Sequence, residues 1–267
     1  MADILEIQAG SKVEIRNPAM LMTAATLESL PGFRDLDADT LDAVEAISRL
    51  IDVPGDAVLC RQGSPPEALH YLLEGQVTLS QSAGNGDVAI IDVLEPVRGI
   101  DLANVVTGQV HQITARALMP SRLVELRAAP LRDLIGRRPT LATTMLQGLS
   151  FDLTTVTRQV IDLKLRTATQ RLGCYLVRLA ADVASNRAEF RLPVRKGLLA
   201  ELIGCRQENL SRAFAVLRDC GVETHGGRVI LHDIDRLRRY ALADEPPAGA
   251  SRMARSAKAF SDAFSLR

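Results

Sequence analysis

The 267-residue sequence contains no tryptophan and few cysteines. The cysteines, Cys60, Cys174, Cys205 and Cys220, lie far apart and form no CxxC pair, so we expect no zinc ribbon. Scattered thiols in a chain whose N-terminus lacks a secretory signal pattern indicate a reducing cytosol, and therefore a cytoplasmic protein. No apolar run approaches the roughly 20 residues that cross a bilayer, so no membrane partner is expected.

Enzyme signatures are also missing from the sequence. Without an HExxH, Walker or Rossmann motif or a Ser-His-Asp arrangement, we expect no catalytic residues, no metal site and no enzymatic activity. The charge is unevenly placed: residues 1–130 hold nine Lys and Arg against 18 Asp and Glu, whereas residues 131–240 hold 19 against 11. This asymmetry favours a C-terminal half that binds a polyanion.

Short apolar or alternating runs, separated by turn residues, fill residues 51–127. The runs are AVLC, LHYLLEG, QVTLSQS, VAIIDVL, QITARAL and RLVELR. Their lengths and spacing predict a compact antiparallel barrel or roll. Asn85-Gly86 predicts a hairpin turn, because both residues tolerate positive φ.

Residues 27–50 precede these runs and predict short helices. Asp37 or Asp39 is expected to cap one of them. The apolar face of that helix is expected to carry Leu41, Val44, Ile47 and Leu50.

A long helix with a narrow apolar stripe is predicted over residues 131–165. Apolar residues recur there at alternating spacings of four and three, at Ala142, Leu146, Leu149, Leu153, Val156, Val160 and Leu163. Such a heptad stripe predicts pairing with a second copy, and therefore a homodimer. The alternative is a helix that lies on its own domain.

The segment from residue 196 to residue 240 carries the sharpest signal. KGLLAELIG predicts a short helix that ends at Gly204, and ENLSRAFAVLRDCG predicts a second helix that ends at Gly221. The short turn between them, with small and apolar residues at the contact, is typical of a helix-turn-helix. VETHGGRVILHD then predicts a two-stranded wing that turns at Gly226-Gly227.

The beginning of the second helix predicts a DNA-reading surface. Its polar residues are of the types that bind base edges and phosphates. They are Arg206, Gln207, Glu208, Asn209, Ser211 and Arg212. Arg228, beside the wing turn, is expected to contact the phosphate backbone. The expected partner is double-stranded DNA.

The spacing Glu208-x-x-Ser211-Arg212, set in GCRQENLSRAFAVL and followed by the wing, resembles the recognition helix of the CRP/FNR family, and its FNR-like branch more than its CRP branch. The resemblance covers about residues 27–240. It implies an α+β fold with an N-terminal antiparallel β-roll similar to a cyclic-nucleotide-binding domain, a long dimerisation helix and a C-terminal winged helix-turn-helix. Gly63 and Gly75 match turn glycines of that β-roll.

The resemblance also implies a twofold-symmetric operator with TTGA-type half-sites. Glu208 and Arg212 would read the G·C pair, and Ser211 a thymine. Loops of the β-roll contact RNA polymerase in this family, which favours a transcription activator that has RNA polymerase as a partner.

The candidate effector pocket departs from the cyclic-nucleotide sensors that it resembles. Those sensors use a Gly-Glu-Leu stretch and an Arg-Ser/Thr pair, whereas this sequence has Asp101 in the first stretch and His111-Gln112 in place of the pair. Cyclic AMP is disfavoured because its phosphate would lack a bidentate arginine. Arg116 is the nearest substitute, although its register does not favour it.

An iron–sulfur cluster is disfavoured too, because no cluster of cysteines precedes the β-roll. The cofactor and the input signal are therefore left open among haem with nitric oxide or CO, thiol redox chemistry, another small ligand and protein level alone. His70 and His111 are candidate haem ligands, against the simpler interpretation of ordinary structural histidines. Cys205 and Cys220 are candidate redox thiols, against the simpler role of small core residues.

The sequence as a whole predicts an N-terminal arm (1–26), a β-roll sensor domain (27–130), a dimerisation helix (131–165), a winged helix-turn-helix (166–242) and a flexible tail (243–267). The alternative function is a ligand-binding β-roll whose C-terminal helices make protein contacts instead of binding DNA.

Overall fold

The computed structural model describes residues 23–181 and 183–242. The predicted tail (243–267) and most of the predicted arm (1–26) lie outside the described residues. The chain divides into two compact units between Ser150 and Phe151. The α+β fold class is confirmed, with an antiparallel β-roll, a long helix and a winged helix-turn-helix.

The helices are α1 (Ala24–Glu28), α2 (Ala38–Glu45), α3 (Leu102–Thr107), α4 (Ala128–Arg137), α5 (Pro139–Leu165), α6 (Ala168–Leu179), α7 (Lys196–Ile203), α8 (Gln207–Leu217) and α9 (Ile234–Ala241). The strands are β1 (Ser48–Val53), β2 (Val58–Cys60), β3 (Ala68–Glu74), β4 (Val77–Ser82), β5 (Val88–Leu94), β6 (Arg98–Ile100), β7 (Thr114–Ala117), β8 (Ser121–Arg127), β9 (Ala188–Arg191), β10 (Val222–His225) and β11 (Arg228–Leu231). None of the helices in these residues is long and apolar enough to span a bilayer.

Two four-stranded antiparallel sheets form the β-roll, with strand orders β1-β8-β3-β6 and β2-β7-β4-β5. The first sheet is covered on both faces. Leu69 and Tyr71 of β3 join the core formed with the helices, whereas Leu72 joins the core formed with the second sheet. A strand buried on both faces needs apolar residues on both, which explains the continuous apolar run in LHYLLEG.

The predicted helix through Leu50 is wrong in its second half. Asp37 does cap α2, since its Oδ1 accepts a hydrogen bond from the Thr40 amide at 2.9 Å, but α2 ends at Glu45. Leu50 lies in β1, directly opposite Val124 of β8. Pairing with a strand more than 70 residues later overrides the local helical pattern, and a periodicity argument cannot detect such pairing.

Turn residues of the roll agree with the resemblance in most places. Gly75 has φ of +100°, and a Cβ there would collide with Ser121, so glycine is required. In the β4–β5 hairpin only Gly86 has positive φ. The Asn85 side chain supports the turn by accepting a hydrogen bond from the Asp87 amide at 3.1 Å.

The second unit packs α6 against α8 and α9. Thr167 and Gln170 form a capping box at the beginning of α6. The predicted two-stranded wing has a third strand, because β9 pairs with β11 to give the order β10-β11-β9. Strand β9 is as short as β10 and β11, but no turn motif joins it to β11, its partner far later in the chain, so the sequence does not indicate it.

Candidate nucleic-acid interface

The turn between α7 and α8 has the geometry that the sequence predicts. Gly204 ends α7 in the left-handed conformation, with φ of +69°. The Cys205 amide then donates to the Ala200 carbonyl at 2.9 Å, which closes the helix end. Leu199, Ala200 and Ile203 on α7 are buried, so α7 offers an apolar surface to the next helix.

Helix α8 has one buried face and one exposed face. Leu210, Ala213, Phe214 and Leu217 are buried. The residues predicted to read DNA are all exposed: Arg206, Gln207, Glu208, Asn209, Ser211 and Arg212. Among the described residues no ion-pair partner is found for the side chains of Glu208 and Arg212. Both are therefore available to an external ligand.

The wing brings further cations to one end of its sheet. Gly226, with φ of +62°, makes the turn between β10 and β11. His225, Arg228 and Arg191 lie directly opposite one another across the three strands and share a face. Arg228 is exposed, as predicted, and it forms an ion pair with Glu189. The guanidinium that is predicted to contact a phosphate is thus already paired with a carboxylate.

A second charged group on the wing was not expected from the sequence. Both oxygens of the Glu223 carboxylate bind histidine, with His225 Nε2 at 2.6 Å and His232 Nε2 at 2.8 Å. The hydrogen bonds from His232 and His225 lower the pKa of Glu223. Nδ1 of His232 lies 2.9 Å from Arg187. Strand β10 and two connecting segments therefore contribute to one polar cluster, which no local motif could indicate.

The beginning of α7 also presents cations that were not expected from the sequence. Arg195 is the N-cap residue and Lys196 the first residue of the helix, and both are exposed. The Lys196 ammonium lies 5.7 Å from the centre of the Phe214 ring. The basic charge of the second unit is thus placed at the beginning of α7 as well as on α8 and the wing.

In the first unit the structure brings together two of the four predicted pocket residues. His111 Nδ1 lies 2.6 Å from Asp101 Oδ2, and both side chains are largely buried. Asn104 donates to the other Asp101 oxygen at 2.7 Å. Gln112 is exposed, and Arg116 donates to the Asp56 carbonyl at 2.7 Å. Asp101 and His111 therefore form a largely buried hydrogen-bonded pair.

The second candidate haem ligand, His70, lies on β3 with little exposure. Its Nε2 is 3.3 Å from Glu125, whose other oxygen accepts from Arg49 Nε at 2.6 Å. Burial alone would raise the pKa of Glu125, but the bonds with His70 and Arg49 outweigh it and lower that pKa to about 2. The usual metal-binding nitrogen of His70 is thus engaged by a carboxylate.

Three thiols have raised pKa values, and desolvation by burial is the main cause in each. The pKa of Cys60 is raised to about 12, and those of Cys205 and Cys220 are also raised. These thiols stay protonated at neutral pH, and a protonated thiol is a poor nucleophile and a poor target for oxidants.

Comparison with known proteins gives a match for each unit. Residues 50–138 match the model of the cyclic nucleotide-binding domain, and residues 170–240 match that of the Crp-like helix-turn-helix domain. A transcriptional activator protein, Anr of Pseudomonas aeruginosa, is 22% identical over 91% of this chain and 98% of its own length. Electron transport regulator A of Shewanella oneidensis is 25% identical over 77% and 84%.

Solved structures show the same fold. FixK2 of Bradyrhizobium japonicum has a TM-score of 0.64 at 18% identity, over 73% of this chain and 97% of its own. The CRP/FNR-family regulator TTHA1359 of Thermus thermophilus has a TM-score of 0.59 at 20% identity, over 72% and 98%. The chain belongs to the CRP/FNR family of transcription regulators.

The family assignment confirms the expectation of a DNA-binding transcription regulator with a cyclic-nucleotide-binding-type domain. In this CRP/FNR protein the family helix-turn-helix match includes α8 and the wing. The base contacts of Glu208, Ser211 and Arg212, the phosphate contact of Arg228 and the roles of Asp101, His111, Gln112 and Arg116 stay predictions.

Proposed function

We propose that the protein is a homodimer that binds an inverted repeat of TTGA-type half-sites, with one α8 in the major groove of each half-site. The observation that carries this proposal is the division of α8 into two faces. Glu208, Ser211 and Arg212 all point to solvent, while the opposite face is buried in the second unit. An exposed row of donors and acceptors on a helix after a helix-turn is what base reading requires.

The dimer would form through α5. Five residues of its apolar stripe are more than two-fifths exposed, which is unusual for large apolar side chains, and they continue over several turns. They are Leu146, Leu153, Val156, Val160 and Leu163. Ala142 and Leu149 are half-buried, and Leu149 packs against the core of the first unit. A second α5 is the partner whose stripe has the same heptad spacing.

The proposed input is neither cyclic AMP nor an iron–sulfur cluster. Asp101 already binds His111, the residue that stands in the position of the missing phosphate-binding arginine, so a cyclic phosphate would have to break that pair without gaining a bidentate partner. Thiol chemistry at Cys60, Cys205 or Cys220 is disfavoured by their raised pKa values.

Haem is retained as a candidate cofactor, with His111 as the residue that would bind its iron. His111 has its Nδ1 bound by Asp101, which is the arrangement that orients a histidine whose Nε2 binds a metal. His70 lacks this arrangement because its Nε2 is bound by Glu125. A visible absorption spectrum of the protein with added haem, compared with His111→Ala and with free haem, tests this: a Soret band that the parent protein shifts and sharpens and the variant does not would support His111.

We also propose that the protein activates transcription through contact between loops of the first unit and RNA polymerase. The support is the family membership and the description of the Pseudomonas relative as a transcriptional activator. Transcription in vitro from a promoter that carries the repeat would rise on addition of the protein. A fall would identify a repressor.

Fluorescence anisotropy with a TTGA inverted repeat and with a scrambled duplex of equal length, across a salt series, tests the central proposal. We expect tighter binding of the repeat, and affinity for both duplexes that falls with salt because phosphate contacts release counterions. Equal affinity for both duplexes would overturn the specificity proposal. Absence of salt-dependent binding would favour the alternative of a module for protein contacts.

A further inference from the structure

Arg171 of α6 makes a set of hydrogen bonds that is not part of the proposed DNA-reading surface. Its guanidinium donates to three backbone carbonyls outside its own helix: Nε to Ile203 at 2.6 Å, Nη1 to Arg166 at 2.7 Å and Nη2 to Gly204 at 3.2 Å. Ile203 and Gly204 form the end of α7, and Arg166 follows the last residue of α5. One side chain thus binds the end of α5 and the turn before α8.

These carbonyls are the groups that a helix leaves without partners at its C-terminal end. A cation at that end is favoured by the helix dipole as well as by the hydrogen bonds. The planar guanidinium can reach several acceptors at fixed angles, whereas the lysine ammonium is a single point charge on a flexible stem. We call this set of three bonds the Arg171 clamp.

Packing reinforces the Arg171 clamp at the same place. Cδ2 of Leu163, in the last turn of α5, lies 3.1 Å from the position that a Cβ on residue 204 would occupy. Arg166, whose carbonyl the clamp binds, forms an ion pair with Asp162 of α5. The last turn of α5 and the turn before α8 are therefore joined by hydrogen bonds and by close contact.

We propose that Arg171 is a positioning residue for DNA recognition, which fixes the direction of α8 relative to the end of α5 without touching DNA. This rests on the proposed function, in which α5 pairs the two copies and α8 reads each half-site. Two recognition helices bind one operator only if their separation and angle match successive turns of the duplex. By holding α8 in a fixed direction at the end of α5, the Arg171 clamp sets the separation and angle of the two recognition helices.

The test compares Arg171→Gln and Arg171→Lys with the parent protein on the TTGA repeat and on the scrambled duplex. Arg178→Gln is the matched control, because Arg178 lies on the same helix and rests over the Tyr175 ring instead of binding a turn. We expect Arg171→Gln to bind the repeat about tenfold more weakly and the scrambled duplex unchanged, with an unchanged salt slope. The affinity of Arg171→Lys for the repeat should fall between those of the parent and of Arg171→Gln. The affinity of Arg178→Gln should equal that of the parent.

A phosphate contact would behave differently. It would weaken binding to both duplexes and lower the salt slope by about one, and that result would overturn the proposal. Parental affinity of Arg171→Gln for the repeat would overturn it too. If Arg171→Gln does not fold, Arg171→Lys decides, with hydrogen exchange as the second measurement: amides of residues 204–210 should exchange faster than in the parent. Parental exchange in that segment would contradict the clamp.

The two proposals fail in different ways. If the parent does not distinguish the repeat from the scrambled duplex, the proposed operator is wrong, and the exchange rates of residues 204–210 still show whether Arg171 holds the turn. If the parent does distinguish them and Arg171→Gln does so equally well, the operator stands and the positioning role is wrong.

Discussion

 Arg212 has the most direct test at the scale of a single residue. It lies in the second turn of α8 with its side chain in solvent. We expect Arg212→Ala to cost about 1–3 kcal/mol of binding to the repeat and to relax the preference for one base pair in each half-site. Affinities for operators substituted at each position measure this, and an equal loss on every sequence would contradict base reading.

Glu125 gives a stability prediction with a defined pH window. Its pKa is lowered from 4.5 to about 2, so the stabilisation is complete above the ordinary pKa and is lost as pH falls towards 2. We expect Glu125→Gln to cost roughly 2 kcal/mol at neutral pH, less than the full shift implies because Arg49 is half exposed. Urea unfolding from pH 2 to 7 should show the two proteins converging in acid. A constant difference would exclude the ionised carboxylate as the cause.

Single residues also show how far the sequence could predict the site. The exposed residues of α8 follow from its apolar period, since the positions that are not needed for packing must face outward. The bond between Asp101 and His111 and the three bonds of Arg171 do not follow. Each joins residues whose proximity depends on the tertiary fold, and in the sequence Arg171 has the pattern of an ordinary charge on a helix surface.

At the scale of elements, the wing has cations whose partners limit their access to DNA. We expect Glu189→Gln to release Arg228 and so to raise affinity for any duplex by about two- to fivefold, with a steeper salt dependence. Glu201→Gln is the matched control, because it removes an equal charge from an exposed residue of α7 in the same unit. Equal gains from both variants would show that Arg228 makes no phosphate contact.

Elements differ in how well the sequence predicts them. Helix α7 ends at Gly204, as the sequence predicts, because a left-handed glycine is a local signal. Helix α8 was predicted to continue to Gly221, but it ends at Leu217, and a short 3-10 helix over Arg218–Cys220 precedes the left-handed Gly221. The short elements β6, β9 and α3 were missed. Each has three to six residues and lacks the hairpin turn motif that identified the equally short β10 and β11, and the strands are stabilised by neighbours distant in sequence.

At the scale of the whole molecule, the dimer proposal depends on the stripe of α5. Leu153 is 68% exposed, so Leu153→Asp should leave each unit folded while placing a charge in the proposed interface. We expect a monomer by sedimentation, with affinity for the repeat lowered at least about tenfold because one α8 reads only one half-site. Val88→Asp, at an equally apolar and 57% exposed site on β5, is the control. A dimeric Leu153→Asp would contradict the proposed interface.

The half-buried thiol of Cys60 has a practical consequence for studies of the first unit. With a pKa of about 12 and partial burial on β2, it should react with alkylating reagents mainly when the roll opens. Its labelling rate in native buffer would then follow the free energy of that opening. The chain thereby contains its own probe for ligand screening, since any compound that binds and closes the roll would slow the labelling of Cys60.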